Sequence, residues 1–196
     1  MANKDEYNLT LQKFRDVEPQ ALHFLPSVSR LIDIDHCEAI SKMLHNVGAR
    51  WERSAATATL GDSLPEERGL YMFVWCPKLT LEIENPNGTF SPSWVLYVGK
   101  AGVEGGTQDT IKHRYVSEYS RYVSGDPSCL WEQASVDDRH SRLGRYLALR
   151  PIEYWFLPLS KPAEISHLER NLIRILNPPV NRQHGAKLRA TITEPA

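Results

Sequence analysis

Four residues of this chain have side chains suited to the hydrolysis of a phosphodiester. Tyr71 and Tyr97 each lie in a short apolar segment, so two neighbouring strands would place their phenols side by side. A tyrosine can act as a general base only if nearby cations or a metal lower its pKa from about 10. Arg114 can grip a phosphate through two parallel hydrogen bonds, and Glu169 offers the hard oxygen ligand that Mg²⁺ prefers. Together these residue types suit attack of an activated water on phosphorus.

Taken singly, each of these residues also has an ordinary structural explanation. Tyrosine is common in strands for packing reasons alone, and Glu and Arg on helices are mostly solvated surface residues. The occurrence of all four in this order, on segments of the expected types, is what favours chemistry over packing.

The elements that would position these side chains are predicted from apolar periodicity and turn residues. A continuous apolar run predicts a buried central strand over 69–76, and two further strands are predicted over 94–98 and 152–159. The alternation in 79–84, followed by turn residues at 85–88, predicts a half-exposed strand in an insert. Helices are predicted over about 9–17, 35–47, 109–122, 139–149 and 163–176.

This order of elements predicts an α/β fold with a small, mainly antiparallel three-stranded central sheet flanked by helices. The short links around the first two strands favour an antiparallel hairpin with a bulky insert. Thr107 or Asp109 is expected to cap the helix that carries Arg114, and 55–65 is expected to be a loop.

Five short motifs resemble those of the GIY-YIG endonuclease family. Gly69-Leu70-Tyr71 resembles the first signature motif, and Tyr97-Val98-Gly99 resembles the second. The segment 111–114 resembles the helix that bears the family's arginine, and 168–173 resembles its metal-binding helix. The segment 177–181 resembles the terminal Pro-x-(aromatic)-Asn. One such motif would mean little, whereas five in the expected order are a specific signal.

The resemblance implies a metal-dependent endonuclease in which both tyrosines belong to the active site. It favours Tyr71 over Tyr97 as the general base, with Tyr97 orienting the phosphate, and leaves the choice between the two tyrosines open. It also implies that Arg114 clamps the scissile phosphate and that Glu169 binds Mg²⁺ or Mn²⁺.

Lys100 and Asn181 complete the expected catalytic set, each with either a direct or a supporting role. Lys100 continues the second motif and is expected to lower the pKa of the base, whereas Asn181 is expected to buttress the site. Two departures from the family pattern are visible. Val180 replaces an aromatic residue, and the sequence separation between Tyr71 and Tyr97 is larger than in minimal members.

Two further groups are weaker candidates for DNA contact. His113 and Tyr119 lie on the same predicted helix as Arg114, Tyr119 at a spacing typical of the family; a surface histidine is the simpler explanation of His113. Four arginines recur at near-helical spacing, either as a solvated basic face or as phosphate contacts. They are Arg139, Arg142, Arg145 and Arg150.

The predicted organisation has three parts. Residues 1–67 form an N-terminal, partly helical extension that is expected to contact DNA or to mediate dimerisation. Residues 68–182 form the nuclease domain, with inserts at 77–93 and 123–150, and 183–196 form a tail. Because each chain has one active site, double-strand cleavage favours a symmetric homodimer.

Composition excludes several classes of protein. A net charge of −1 over 196 residues argues against coating of nucleic acid by bulk attraction. The three cysteines form neither a zinc pattern nor a disulfide framework. The Gly102–Gly106 segment lacks the Lys-Ser/Thr ending of a nucleotide-binding loop. No apolar run would span a membrane and no signal peptide is apparent, so a cytoplasmic protein is expected.

The function predicted from the sequence is therefore a metal-dependent endonuclease of restriction or phage-defence type that acts on double-stranded DNA. Two alternatives stay open: a structure-specific or repair nickase, and a catalytically idle module that binds nucleic acid on the nuclease scaffold.

Overall fold

The computed structural model of the chain describes residues 4–17, 22, 34–48, 50–84, 87–103, 108–132 and 138–181. The predicted tail at 183–196, Thr107 and part of the turn at 85–88 lie outside these ranges. The α-helices are α1 (Lys4–Lys13), α2 (Ile34–Asn46), α3 (Ile111–Arg114), α4 (Ser120–Val123), α5 (Arg139–Tyr146) and α6 (Pro162–Leu176). The strands are β1 (Glu52–Ala55), β2 (Gly69–Trp75), β3 (Leu81–Glu84), β4 (Asn87–Phe90), β5 (Trp94–Ala101) and β6 (Ile152–Pro158).

The main sheet has four strands in the order β1-β6-β2-β5, and every neighbouring pair is antiparallel. The antiparallel α/β class and the pairing of the first two motif strands are as predicted, but the expected number of three strands is wrong. The fourth strand, β1, comes from the N-terminal extension, next to the predicted loop at 55–65. Its sequence, Glu-Arg-Ser-Ala, has no apolar alternation because the strand lies at the edge of the sheet with three of its four residues exposed.

The insert between β2 and β5 forms a hairpin of its own. The predicted half-exposed strand at 79–84 is observed as β3, which pairs with β4 in a separate two-stranded sheet. Leu81 lies opposite Phe90, and both side chains are about half exposed. β3 and β4 therefore pair with each other and not with a strand of the main sheet.

The sheet separates two hydrophobic clusters, as the alternation of side chains along β2 requires. Leu70 and Met72 pack with the apolar stripe of α6, which includes Leu168. Tyr71 and Phe73 face the other way, into a cluster rich in aromatic residues. The two motif tyrosines thus belong to one particular face of the sheet.

Helix boundaries differ from the predictions at a few points. Thr110 caps α3 by accepting a hydrogen bond from the backbone N–H of His113, so neither predicted cap fills that position. The helix at 139–149 ends at Tyr146, and the N-terminal helix covers 4–13 rather than 9–17. Asn177 ends α6 in the left-handed conformation, with a φ of 43°. None of the helices in the described part of the chain is long and apolar enough to cross a bilayer.

Candidate active site

The register of β2 against β5 brings the two motif tyrosines together. Tyr71 lies opposite Gly99, and Phe73 lies opposite Tyr97, so the tyrosines are diagonal neighbours whose ring centroids are 6.2 Å apart. The ring of Tyr71 crosses directly over Gly99. A Cβ atom at position 99 would lie 2.5 Å from Cζ of Tyr71, which explains why the second motif needs glycine here.

A π-helical turn brings a third tyrosine to the same place. After α3 the helix widens over Tyr115–Tyr119 before it continues as α4. Turns of this kind are rare and occur often at functional sites. The turn buries Tyr119, which is 1% exposed, against the two motif tyrosines.

The three phenols form one hydrogen-bonded group, which we call the tyrosine triad: Tyr71, Tyr97 and Tyr119. The hydroxyl of Tyr119 lies 3.0 Å from that of Tyr71 and donates to that of Tyr97 over 3.2 Å. Arg139, from α5, donates its Nη2 hydrogen to the hydroxyl of Tyr119 over 2.9 Å. Tyr119 and Arg139 were weak candidates in the sequence, yet they link the motif tyrosines to each other and to a cation.

Arg114 lies beside the triad and is held by two carboxylates. Asp109 accepts hydrogen bonds from Nε and Nη2 of Arg114, the latter over 3.0 Å, and Glu118 accepts one from Nη1. Glu118 also accepts a hydrogen bond of 2.8 Å from Arg139. Two arginines and two carboxylates therefore form a continuous ionic network along one side of the triad.

Burial sets the protonation of the two interior phenols. Burial raises the pKa of Tyr71 well above its usual range, and the neighbouring Tyr97 and Tyr154 raise it further. Burial likewise raises the pKa of Tyr119. Both phenols are accordingly neutral at physiological pH, which is opposite to the lowered pKa that a general base needs. The pKa of Arg114 is raised, first by its hydrogen bond with Asp109, so its positive charge is secure.

Two opposing effects act on the pKa of Glu118, namely its burial and its arginine partners. Burial alone would raise the pKa of Glu118, whereas hydrogen bonds from Arg139 and Arg114 outweigh it and leave the pKa below its usual value. Glu118 therefore remains a charged bridge between the two arginines at neutral pH.

Lys100 and Glu169 lie on the other face of the sheet. Lys100 is opposite Leu70 in the register, on the side packed by α6, and its Nζ lies 3.3 Å from Oε2 of Glu169. The predicted effect of Lys100 is a lowered pKa of the catalytic tyrosine, but the structure directs its ammonium group to Glu169. Both groups lie beside β5, which is an edge strand of the main sheet.

Glu169 is the residue to which the resemblance assigns a metal. Its side chain is 14% exposed and its carboxylate faces a cation. Mg²⁺ commonly binds one or two carboxylates and completes its shell with water and phosphate oxygens, so a single glutamate fits such a site. Within the described ranges no group of three or more His, Cys, Asp or Glu residues is arranged to enclose an ion.

Asn181 buttresses the second motif strand from outside. Its Oδ1 accepts a hydrogen bond of 2.9 Å from the N–H of Val98, and its Nδ2 donates one of 2.8 Å to the carbonyl of Val98. The N–H of Val180 also donates to the carbonyl of Leu96. The side-chain amide imitates a neighbouring strand, so these contacts favour the supporting role for Asn181.

The remaining arginines do not form the predicted basic face. Arg142 and Arg145 are each only 6% exposed, and Arg142 donates to the carbonyl of Val180 over 3.4 Å. Arg150 donates to the carbonyls of Leu147, Leu149 and Val123. Arg142 and Arg150 thus satisfy backbone carbonyls, and Arg145 is buried, so these three side chains serve the fold rather than a basic surface.

Solvent reaches the ionic network through a small cleft. The cleft has a volume of about 240 Å³ and is lined by Gln108, Asp109, His113, Arg114 and Glu118. A larger groove of about 1490 Å³ runs between α2 and the start of α6, but the triad does not line it. The small cleft is the more relevant one, since it opens onto the predicted phosphate clamp.

Sequence reasoning missed two members of the network. Asp109 was expected to cap a helix, and Glu118 was not considered. Glu118 follows Arg114 by four residues, a spacing at which opposite charges meet on a helix. That spacing was a usable signal, whereas no local pattern indicates that Asp109 turns back onto Arg114.

Comparisons with protein-family models, with curated proteins and with solved structures gave no match.

Proposed function

We propose that this protein is a metal-dependent endonuclease that hydrolyses phosphodiester bonds in double-stranded DNA, of restriction or phage-defence type. The observation that carries the proposal is one hydrogen-bonded group of Tyr71, Tyr97 and Tyr119 with Arg139, which Glu118 joins to Arg114. Phenol hydroxyls beside two arginines match the needs of phosphodiester hydrolysis, namely proton transfer and stabilisation of negative charge on the phosphoryl group.

The site would take the DNA backbone at the edge of β5. A phosphodiester beside Gly99 would face the triad on one side of the strand and Glu169 on the other. Arg114 would bind the phosphoryl oxygens once the phosphate displaces Asp109 or Glu118 from the guanidinium, an exchange of one anion for another. Glu169 would hold a Mg²⁺ or Mn²⁺ ion, whose charge would stabilise the phosphoryl oxygens and the leaving 3′ oxygen.

Cleavage of supercoiled plasmid DNA, with and without Mg²⁺, tests the proposal. We expect the wild-type protein to cut and Glu169→Gln to lose at least about 100-fold in rate, a typical cost of removing an electrostatic catalyst. Glu164→Gln is the matched control, because Glu164 lies on the same helix and pairs with Lys161 at the surface. Equal rates for the two variants would reject the role of Glu169.

The cleavage products then separate the kinds of nuclease. Discrete linear fragments would indicate sequence-specific cutting by a pair of chains, since each chain has one site. Relaxed circles alone would indicate a nickase.

A second candidate function is an idle module that binds nucleic acid. The carboxylates on Arg114 favour it, because a clamp that keeps Asp109 and Glu118 cannot grip a phosphate. Binding of duplex DNA by the wild-type protein, with no cleavage in Mg²⁺ or Mn²⁺, would support this candidate and reject the first.

A further inference from the structure

The hydrogen bonds of the tyrosine triad have a defined direction. Each phenol has one proton to donate, and Tyr119 gives its proton to Tyr97. Arg139 donates to the oxygen of Tyr119, so that oxygen already acts as an acceptor. In the contact of 3.0 Å between Tyr71 and Tyr119, Tyr71 must therefore be the donor.

This direction makes the three phenols chemically different. Tyr71 and Tyr119 both commit their protons inside the triad, and both are almost fully buried. Tyr97 only accepts a hydrogen bond within the triad, and its side chain is only partly buried. Its oxygen accepts the proton that Tyr119 donates.

The consequences of losing a proton differ accordingly. Ionisation of Tyr71 would remove the proton that it donates to Tyr119, and Tyr119 could donate in its place only by giving up its bond to Tyr97. It would also leave a charge in an aromatic cluster, where the cost of burial is large. Ionisation of Tyr97 would break no bond within the triad and would strengthen the one it accepts, since donors bind an anion more tightly. Arg139 stands one hydroxyl away and would stabilise the same charge.

From this geometry we infer that Tyr97, and not Tyr71, is the general base of the proposed reaction. The inference rests on the proposed function and reverses the assignment that the resemblance favours. Tyr71 and Arg139 become positioning residues, which act on Tyr97 through Tyr119.

The step balances with water as the only co-reactant. The Tyr97 phenolate takes a proton from the attacking water while the water oxygen bonds to phosphorus. The bond from phosphorus to the 3′ oxygen breaks, and that oxygen takes a proton from a solvent water. The hydroxide thus formed removes the proton from Tyr97 and restores the phenolate.

Placing 3-fluorotyrosine at position 97 or at position 71 tests the inference, because fluorine makes a phenol more acidic with little change in size. Fluorine NMR of each protein without DNA reports the ionisation of that one phenol. We expect the phenol at 97 to ionise at the lower pH, and Arg139→Gln to move that ionisation upward. Ionisation at 71 first, or at the same pH, would overturn the inference.

Cleavage kinetics provide the second readout. We expect the acid limb of the pH–rate profile to move to lower pH with fluorotyrosine at 97 and to stay in place with fluorotyrosine at 71. We expect Tyr97→Phe to slow single-turnover cleavage at least about 100-fold and Tyr71→Phe by less than about 10-fold, since a general base contributes about 10²–10⁴.

The two proposals fail in different ways. A pH–rate limb that follows the residue at 71 would overturn the assignment of Tyr97 while the nuclease function stands. Absence of cleavage on every duplex tested would remove the function itself, and with it the reaction that Tyr97 is inferred to serve.

Discussion

Replacement of Asn181 by alanine is expected to destabilise the protein strongly. The side-chain amide satisfies both the N–H and the carbonyl of Val98, and Val98 is fully buried. Each buried backbone group left without a partner costs about 1–3 kcal/mol, so the two together give a loss of about 2–6 kcal/mol. Since a whole domain is stable by only about 5–15 kcal/mol, this is a large share of the total.

Urea unfolding at neutral pH measures the effect. With a slope of about 2 kcal/mol/M, a loss of about 4 kcal/mol lowers the unfolding midpoint by about 2 M. Asn171→Ala is the matched control, because Asn171 is buried to a similar degree but has a 2.9 Å contact with the exposed His167. We expect this control to lose about 1 kcal/mol.

The comparison has a clear refuting result. If Asn181→Ala and Asn171→Ala lower the stability equally, then the strand-like pairing of Asn181 with Val98 contributes nothing special. Asn181→Asp tests the donated hydrogen bond separately, since an ionised aspartate keeps the acceptor and loses the donor. Its stability is expected to recover in part in acid, where protonation restores a donor.

Further predictions concern the ionic network and the triad. Because the folded-state pKa of Glu118 is lowered, its stabilising contribution is present above the ordinary value of 4.5 and is lost as pH falls through the folded-state value. Urea midpoints of wild type and Glu118→Gln should therefore converge in acid, and a constant difference would contradict this. Gly99→Ala is expected to cost at least about 1–3 kcal/mol in thermal unfolding, because the added Cβ overlaps the ring of Tyr71; an unchanged melting temperature would contradict the close packing. Arg139→Gln should reduce the salt dependence of DNA binding by about one phosphate contact. Arg150→Gln should lower stability and leave that dependence unchanged, and the reverse pattern would restore the basic-face hypothesis.

The parts of the fold that local patterns specify were predictable. The apolar run of β2 and the amphipathic stripe of α6 identify their elements within a residue or two, because burial on two faces or on one stripe leaves a clear periodicity. β1 was not predictable, since its four residues lie at an edge and gain their conformation from pairing with β6. Propensity carries little information where tertiary pairing decides.

The same division holds for the candidate site. The motif tyrosines were predictable as a pair. The central position of Tyr119 was not, because it depends on a π-helical turn that no residue pattern predicts. The burial of Arg142 and Arg145 was likewise hidden, because a spacing of three residues on a helix does not reveal which face turns inward. The direction of the hydrogen bonds within the triad depends on how the fold places the three hydroxyls, which the sequence does not show.

The pairing of β1 with β6 bears on whether the first 67 residues can be separated from the domain that carries the site. The motifs that resemble the endonuclease family begin at Gly69, which invites the view that the residues before it are a removable accessory. Removing them would strip β6 of its outer neighbour and expose a row of unpaired backbone groups beside strongly apolar residues, which is a template for aggregation. The smallest fragment that folds is therefore expected to start before Glu52, so any exchange of the N-terminal segment for another would have to keep this strand.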